Sequence, residues 1–209
     1  MRVNATTAAQ IVPAIRGIYN DHADEYALAT ERMDQFPGLD LDLDRFAGSL
    51  THGPVLDLGC GTGRDTDYLT RKGVGVIAGD LSERLLMRTS SRCSPAGVVQ
   101  LDLLNLPFAD AAFAGVWACA SVLHVPSLDH PRSFAEIHRV LRPGGFTAIS
   151  LKAGTGEGWE AGKRLACPRW FSLRTPDSVV TELEAAGFAF ADVVHSPRST
   201  WFIAEAFKR

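Results

Sequence analysis

The sequence predicts a doubly wound α/β sheet, parallel except for one strand near its C-terminal end. Three observations carry this. Beyond residue 53, short apolar runs alternate with stretches of helical period, and strands separated by helices pair in parallel through right-handed crossovers. The first run leads into "VLDLGCGTGRDT", residues 55–66, with three glycines at alternate positions in the turn to a helix. Only "SPRS" joins the last two strands, a link so short that they must run antiparallel.

The first fifty residues read as helical. In "TAAQIVPAIRGIYNDHADEYALATERM" apolar residues recur at mixed three and four spacings, cut by Pro13 and then by "FPGLD". Strands are predicted at 55–58, 74–79, 98–101, 113–120, 146–151, 188–195 and 200–207. Helices are predicted at 64–72, at 82–93 with Ser82 opening it, at 127–141 closed by "RPGG", and at 175–186 closed by Gly187. The 209 residues read as one domain, with a helical lid segment at 1–52, a core at 53–209 and a cover loop at 152–176.

Composition excludes several function classes. Hydrophobic residues make up 46% and charged residues 22%, an ordinary globular mixture. A net charge of −3 and a pI near 6.1 give no electrostatic reason to expect nucleic acid. No run approaches the ~20 apolar residues that span a bilayer, and the N-terminus lacks a signal-peptide core. Cys60, Cys93, Cys119 and Cys167 are scattered without a C-x-x-C pair, which reads as separate reduced thiols in a cytoplasmic protein with no metal centre.

Three chemistries compete for the glycine loop. A Walker loop needs Lys-Ser or Lys-Thr after its glycines, and none is present. The dinucleotide fingerprint G-x-G-x-x-G meets Arg64 where its third glycine should stand. The third ligand is S-adenosylmethionine, which has no phosphate to cradle. Asp57 at the first strand end can face its ammonium group, and Gly59, Cys60, Gly61 and Gly63 let its methionine part lie on bare backbone. Asp80, ending the second strand, can accept from both ribose hydroxyls. Asp102, after the third, can accept from the adenine amino group, with Leu81 and Leu103 on either side of the ring. One aspartate after a strand is commonly a turn residue. Three in register with the loop are more specific.

"VLDLGCGTG", "GVIAGDLSERLL", "QLDLLNLPFADAAFAGVWACASVLHV" and "RVLRPGGFTAIS" resemble successive motifs of the class I S-adenosylmethionine-dependent methyltransferases. The likeness covers roughly residues 15–209 and is nearest to the small-molecule branch of ubiquinone C-methyltransferase-like enzymes. It implies a Rossmann-like seven-stranded sheet in the order 3-2-1-4-5-7-6, strand 7 antiparallel. It also implies methyl transfer from S-adenosylmethionine, leaving S-adenosylhomocysteine, to an oxygen, nitrogen or carbon of a small metabolite. The alternative is the same fold binding the cofactor without methyl transfer. Neither nucleic acid nor membrane is expected as a partner, and a monomer or homodimer fits equally.

By position in the family pattern, Ala118 offers its backbone carbonyl to the cofactor's ammonium. The chain lacks an [ND]-P-P-[YF] platform, a Pro-Cys nucleophile and an acidic magnesium cluster, which makes DNA bases, protein glutamine and metal-bound catechols poor acceptors. His124 stands where this branch has its "L-H", as a base of ordinary pKa ~6.5 or as a packing residue. His22, His130, His138 and His195 read as surface or helix-face residues. Tyr19 and Tyr26 are the lid candidates, first Tyr19, against plain amphipathic packing. Arg64 either pairs with the cofactor carboxylate or fills a first helical turn. In the cover loop, Trp159 and Arg169, with Trp170 and Phe171, make a flat apolar–cationic surface suited to an aromatic or anionic molecule. Otherwise Trp170 and Phe171 begin the core of the next helix.

Overall fold

The structure, a computed structural model, describes residues 7–162, 164–195 and 200–209. Its strands are β1 (Val55–Leu58), β2 (Val76–Asp80), β3 (Gly97–Gln100), β4 (Phe113–Cys119), β5 (Leu141–Lys152), β6 (Glu157–Gly162), β7 (Leu165–Ser172), β8 (Phe190–His195) and β9 (Trp201–Phe207). Its α-helices are α1 (Ala8–Asp21), α2 (Ala23–Thr30), α3 (Leu39–Gly48), α4 (Arg64–Arg71), α5 (Glu83–Arg92), α6 (His130–Val140) and α7 (Pro176–Ala185).

Seven strands form one sheet in the order β3-β2-β1-β4-β5-β9-β8. Counting only its members, this is the expected 3-2-1-4-5-7-6. β9 is antiparallel to β5 and to β8, and the other pairs are parallel. The expected "SPRS" link, 196–199, lies outside the described residues. All four residues of β1 are buried, as a strand covered on both faces requires. Alternate residues feed two cores. Leu56, Leu58, Val116 and Leu151 pack with Phe134, Ile137 and Leu183 of α6 and α7. Val55, Val76, Trp117 and Phe146 pack on the opposite face with Leu39, Leu43 and Phe46 of α3 and Leu69 of α4. Gly115 makes this second core possible, since a Cβ there would fall 2.3 Å from Leu50 and 3.0 Å from Phe46.

The structure differs from expectation at three places. The stretch at 152–176 is no open loop, because β6 and β7 pair as an antiparallel hairpin from Glu157↔Ser172 to Gly162↔Leu165. Trp170 and Phe171 are therefore strand residues, ahead of α7, and they bury on different clusters. "RPGG" does not separate a helix from a later strand. β5 begins at Leu141 directly after α6, and its pairing jumps from Phe113↔Leu141 to Gly115↔Phe146, so these residues form a bulge within the strand. Finally, α3 belongs to the sheet's second core, which leaves α1 and α2 as the part of 1–52 that lies over the strand ends.

Candidate functional site

A cavity opens at the carboxyl ends of β1, β2 and β4, under α1 and α2. Ligands of open α/β sheets sit at this edge. The glycine loop forms its floor. Gly59 has φ +81°, and a Cβ on it would lie 2.3 Å from that of Ser121, whose hydroxyl donates to the Leu58 carbonyl at 2.7 Å. Gly61, at φ +59°, faces open space up to Tyr26, 3.6 Å from its virtual Cβ. Only glycine combines this backbone conformation with this clearance.

Asp80 holds the loop in place. One oxygen accepts from Gly61 N at 2.9 Å and the other from Ser82 N, ahead of α5, at 2.8 Å. Each carboxylate oxygen has a second lone pair for a ligand. Burial raises this carboxyl above its ordinary range, against the pull of those amides. Leu81, Asp102 and Leu103 continue the wall, and Asp102 accepts from Leu104 N at 2.9 Å.

At the other end stand Tyr19, Tyr26 and His124. The two tyrosine rings meet edge to face at 5.0 Å. His124 Nδ1 lies 2.6 Å from the Trp170 carbonyl, which can only accept, so the ring proton is assigned to Nδ1. Nε2 then accepts from the Tyr19 hydroxyl at 2.8 Å. Burial pushes the imidazole down to about 4, so it is neutral at ordinary pH. The hairpin thus sets the tautomer through its backbone. Ser172 Oγ donates to Val125 O at 2.6 Å and ties β7 to the same turn.

The family model described as "Methyltransferase domain" matches residues 56–149. A methyltransferase of Streptomyces halstedii is 38% identical over 134 residues, covering 61% of this chain and 45% of that protein. A malonyl-[acyl-carrier protein] O-methyltransferase of Erwinia pyrifoliae is 32% identical over 193 residues, covering 87% of this chain and 69% of that protein. The chain belongs to the class I S-adenosylmethionine-dependent methyltransferases. It spans between about half and two thirds of the length of these relatives. In fold it is similar to the 1,6-didemethyltoxoflavin-N1-methyltransferase of Burkholderia thailandensis, at TM-score 0.76 and 22% identity over 100% of this chain and 93% of that one. It is also similar to the [4+2]-cyclase SpnF, at 0.75 and 19% over 98% and 97%. No helix among the described residues is long and apolar enough to cross a membrane.

Of the residues that the methyltransferase motifs single out, Tyr19, Tyr26, Gly59, Gly61, Asp80, Leu81, Asp102, Leu103 and His124 line one cavity. Others lie around it. Asp57 is buried beneath the loop and accepts from Thr66 Oγ1 at 2.5 Å. Burial, and then the Asp65 charge, raise its carboxyl. The Cys60 thiol points to Thr89 Oγ1, 3.6 Å away, and burial pushes it up. Gly63 caps α4 at φ +79°. Ala118 is fully buried in β4, and Cys119, Ala120 and Ser121 meet the cavity instead. Arg64 opens α4 and pairs with Asp65 at 2.7 Å. It also donates to Thr30 O at 3.1 Å and lies 4.0 Å over the Phe36 ring. Trp159 is 44% exposed on β6, edge-on to Trp170. Arg169 is buried behind Tyr19, to whose oxygen it donates at 3.1 Å.

The wall has members that the sequence reading missed. Val12, Ile15 and Leu85 close its apolar side, and the spacing of Ile11, Ile15 and Tyr19 was the signal. Ala120 sits at φ +57°, a strained value for a residue with a side chain. Nothing local in the sequence marks it. His130, read as a surface or helix-face residue, opens α6 but is fully buried, with Nε2 3.0 Å from Val125 O, and burial pushes it to about 4.

Proposed function

We propose that this protein transfers a methyl group from S-adenosylmethionine to an oxygen, nitrogen or carbon of a small metabolite, and that neither nucleic acid nor membrane is its partner. One observation supports this above the others. A single cavity joins two strand-end carboxylates with flanking leucines, a bare glycine floor, and a neutral histidine–tyrosine pair. Relatives named demethylmenaquinone methyltransferase and 27-O-demethylrifamycin SV methyltransferase, of Thermobifida fusca and Amycolatopsis mediterranei, support a small-molecule acceptor.

When bound, the cofactor supplies a sulfonium methyl group that an aligned nucleophile takes in line. The protein's part is position, dryness and a proton acceptor. Asp80 receives the ribose hydroxyls and Asp102 the adenine amino group, with Leu81 and Leu103 against the ring. Gly59 and Gly61 leave room for the methionine part. Tyr19 and Tyr26, carried by the lid helices, exclude water. His124 Nε2 takes the acceptor's proton once the Tyr19 hydroxyl yields its place.

Titration calorimetry with S-adenosylmethionine tests the cofactor, and transfer of labelled methyl to a panel of phenols, acids, amines and activated methylenes tests the reaction. Saturable binding and one labelled product are expected. Replacing His124 by Asn should lower turnover by about 10²–10⁴-fold with binding retained. Failure to bind the cofactor sinks the proposal. Binding without any labelled product leaves the fold to other chemistry.

A further inference from the structure

Arg169 is only 6% exposed. A buried guanidinium is ordinarily held by a carboxylate, because desolvating a lone charge is costly. Arg64, with 12% of its side chain exposed, follows this and has Asp65 at 2.7 Å. Arg169 forms no ion pair among the described residues. Glu160, opposite it in the hairpin register, instead faces Lys152 at 3.5 Å. Its only hydrogen bond there runs from Nη1 to the Tyr19 oxygen, and Nε has no partner. The Phe171 ring at 5.2 Å gives cation–π support but no counter-charge. Nor does Tyr19, whose phenol burial holds above the ordinary 10 and therefore uncharged.

The fold makes room for this cation. A Cβ at Gly162 would fall 2.0 Å from Nη2, so glycine is what the guanidinium needs on the facing strand. The hydroxyl it bonds also donates to His124 Nε2, and both of those groups line the cavity. An unneutralised charge thus stands one hydroxyl behind the proton-accepting end of the site.

We infer that Arg169 is the anion receptor of the acceptor subsite: the methyl acceptor carries a carboxylate, which takes the place where Tyr19 Oη now accepts from Nη1. This rests on the methyl-transfer reading above. The cofactor's own carboxylate is the other source of the same chemistry, and the experiment separates them.

Calorimetry on the full chain first compares S-adenosylhomocysteine binding to wild type and Arg169→Gln. Benzoate and malonate are then titrated into the S-adenosylhomocysteine-bound proteins, with benzamide as the neutral control. We expect cofactor affinity to change by less than about threefold, and carboxylate affinity to fall by about tenfold or more in Arg169→Gln, with part of it kept in Arg169→Lys. Benzamide should not bind to any of them. Gly162→Ala, which displaces the guanidinium without removing it, should also lose benzoate. The melting temperature of ligand-free Arg169→Gln should equal or exceed wild type, because an uncompensated buried cation is removed. A merely structural arginine would lower it. Loss of cofactor binding in Arg169→Gln assigns the charge to the cofactor and overturns the inference. Carboxylate binding equal in both proteins, or seen in neither, overturns it too. If wild type fails to bind S-adenosylhomocysteine, the cofactor reading fails and this inference falls with it.

Discussion

Asp80 uses each carboxylate oxygen twice, once for the backbone and once for the proposed ribose. Asparagine keeps one accepting oxygen and sets an NH₂ against a backbone N–H. Asp80→Asn should therefore weaken S-adenosylhomocysteine by about 2–3 kcal/mol, roughly 30- to 150-fold in Kd by calorimetry. An unchanged Kd would remove Asp80 from the ribose role. His130 gives a second residue-level prediction. Its folded pKa, about 4, lies below its ordinary 6.5. Between these values the unfolded chain binds the extra proton, so this group's contribution to stability falls as pH drops from 6.5 towards 4. Urea unfolding of His130→Gln should lose stability more gently than wild type across that window, by up to about 1.4 kcal/mol per pH unit. Parallel curves would show that His130 does not titrate as its burial demands. At this scale the strand-end residues were readable because strand, turn and helix place them locally. The partners of Arg64 and Arg169 were not, since an arginine's long side chain chooses among whatever the fold brings near.

The elements owe their stability to the two-faced sheet. Phe46 of α3 is fully buried against Trp117, at 5.3 Å between ring centroids, and Phe146, at 5.8 Å. Phe46→Ala should cost about 3–5 kcal/mol in denaturant unfolding. A loss under about 1 kcal/mol would mean that α3 is not integral to the core. The sheet strands were readable from their apolar runs. The hairpin was not. "EGWEAG" has no two-residue apolar alternation, and it is a strand because its backbone pairs with β7, which sets Trp159 and Glu160 opposite Trp170 and Arg169 in the register. Likewise "RPGG" carries a helix-stop signal, yet the pairing of β4 with β5 absorbs it as a bulge. Tertiary pairing overrides weak local preference.

For the whole molecule, α1 and α2 pack against β7 of the hairpin. Arg164 donates to Ala29 O at 2.6 Å and to Gln35 O at 2.9 Å, and it covers the Phe36 ring opposite Arg64. A ligand held by both the sheet edge and the lid stabilises the folded state by mass action. At about 100 times Kd, S-adenosylhomocysteine should add about 2.7 kcal/mol, and at this chain length the melting point should rise by roughly 5–10 °C. No shift at saturation would contradict binding to the native fold. The sequence by itself determined a sheet that is parallel but for one strand, the motifs whose family resemblance implies the strand order, and the three aspartates and glycine turn that suggest the cofactor. These follow from patterns within a few residues of each strand end. Only the tertiary structure decided which of the marked side chains share a cavity, which tautomer His124 carries, and that Arg169 is buried without a counter-ion. Each depends on groups more than forty residues apart meeting in space. So "VLDLGCGTGRDT" points to the methyl donor, and the hairpin strand that carries Arg169 points to the acceptor.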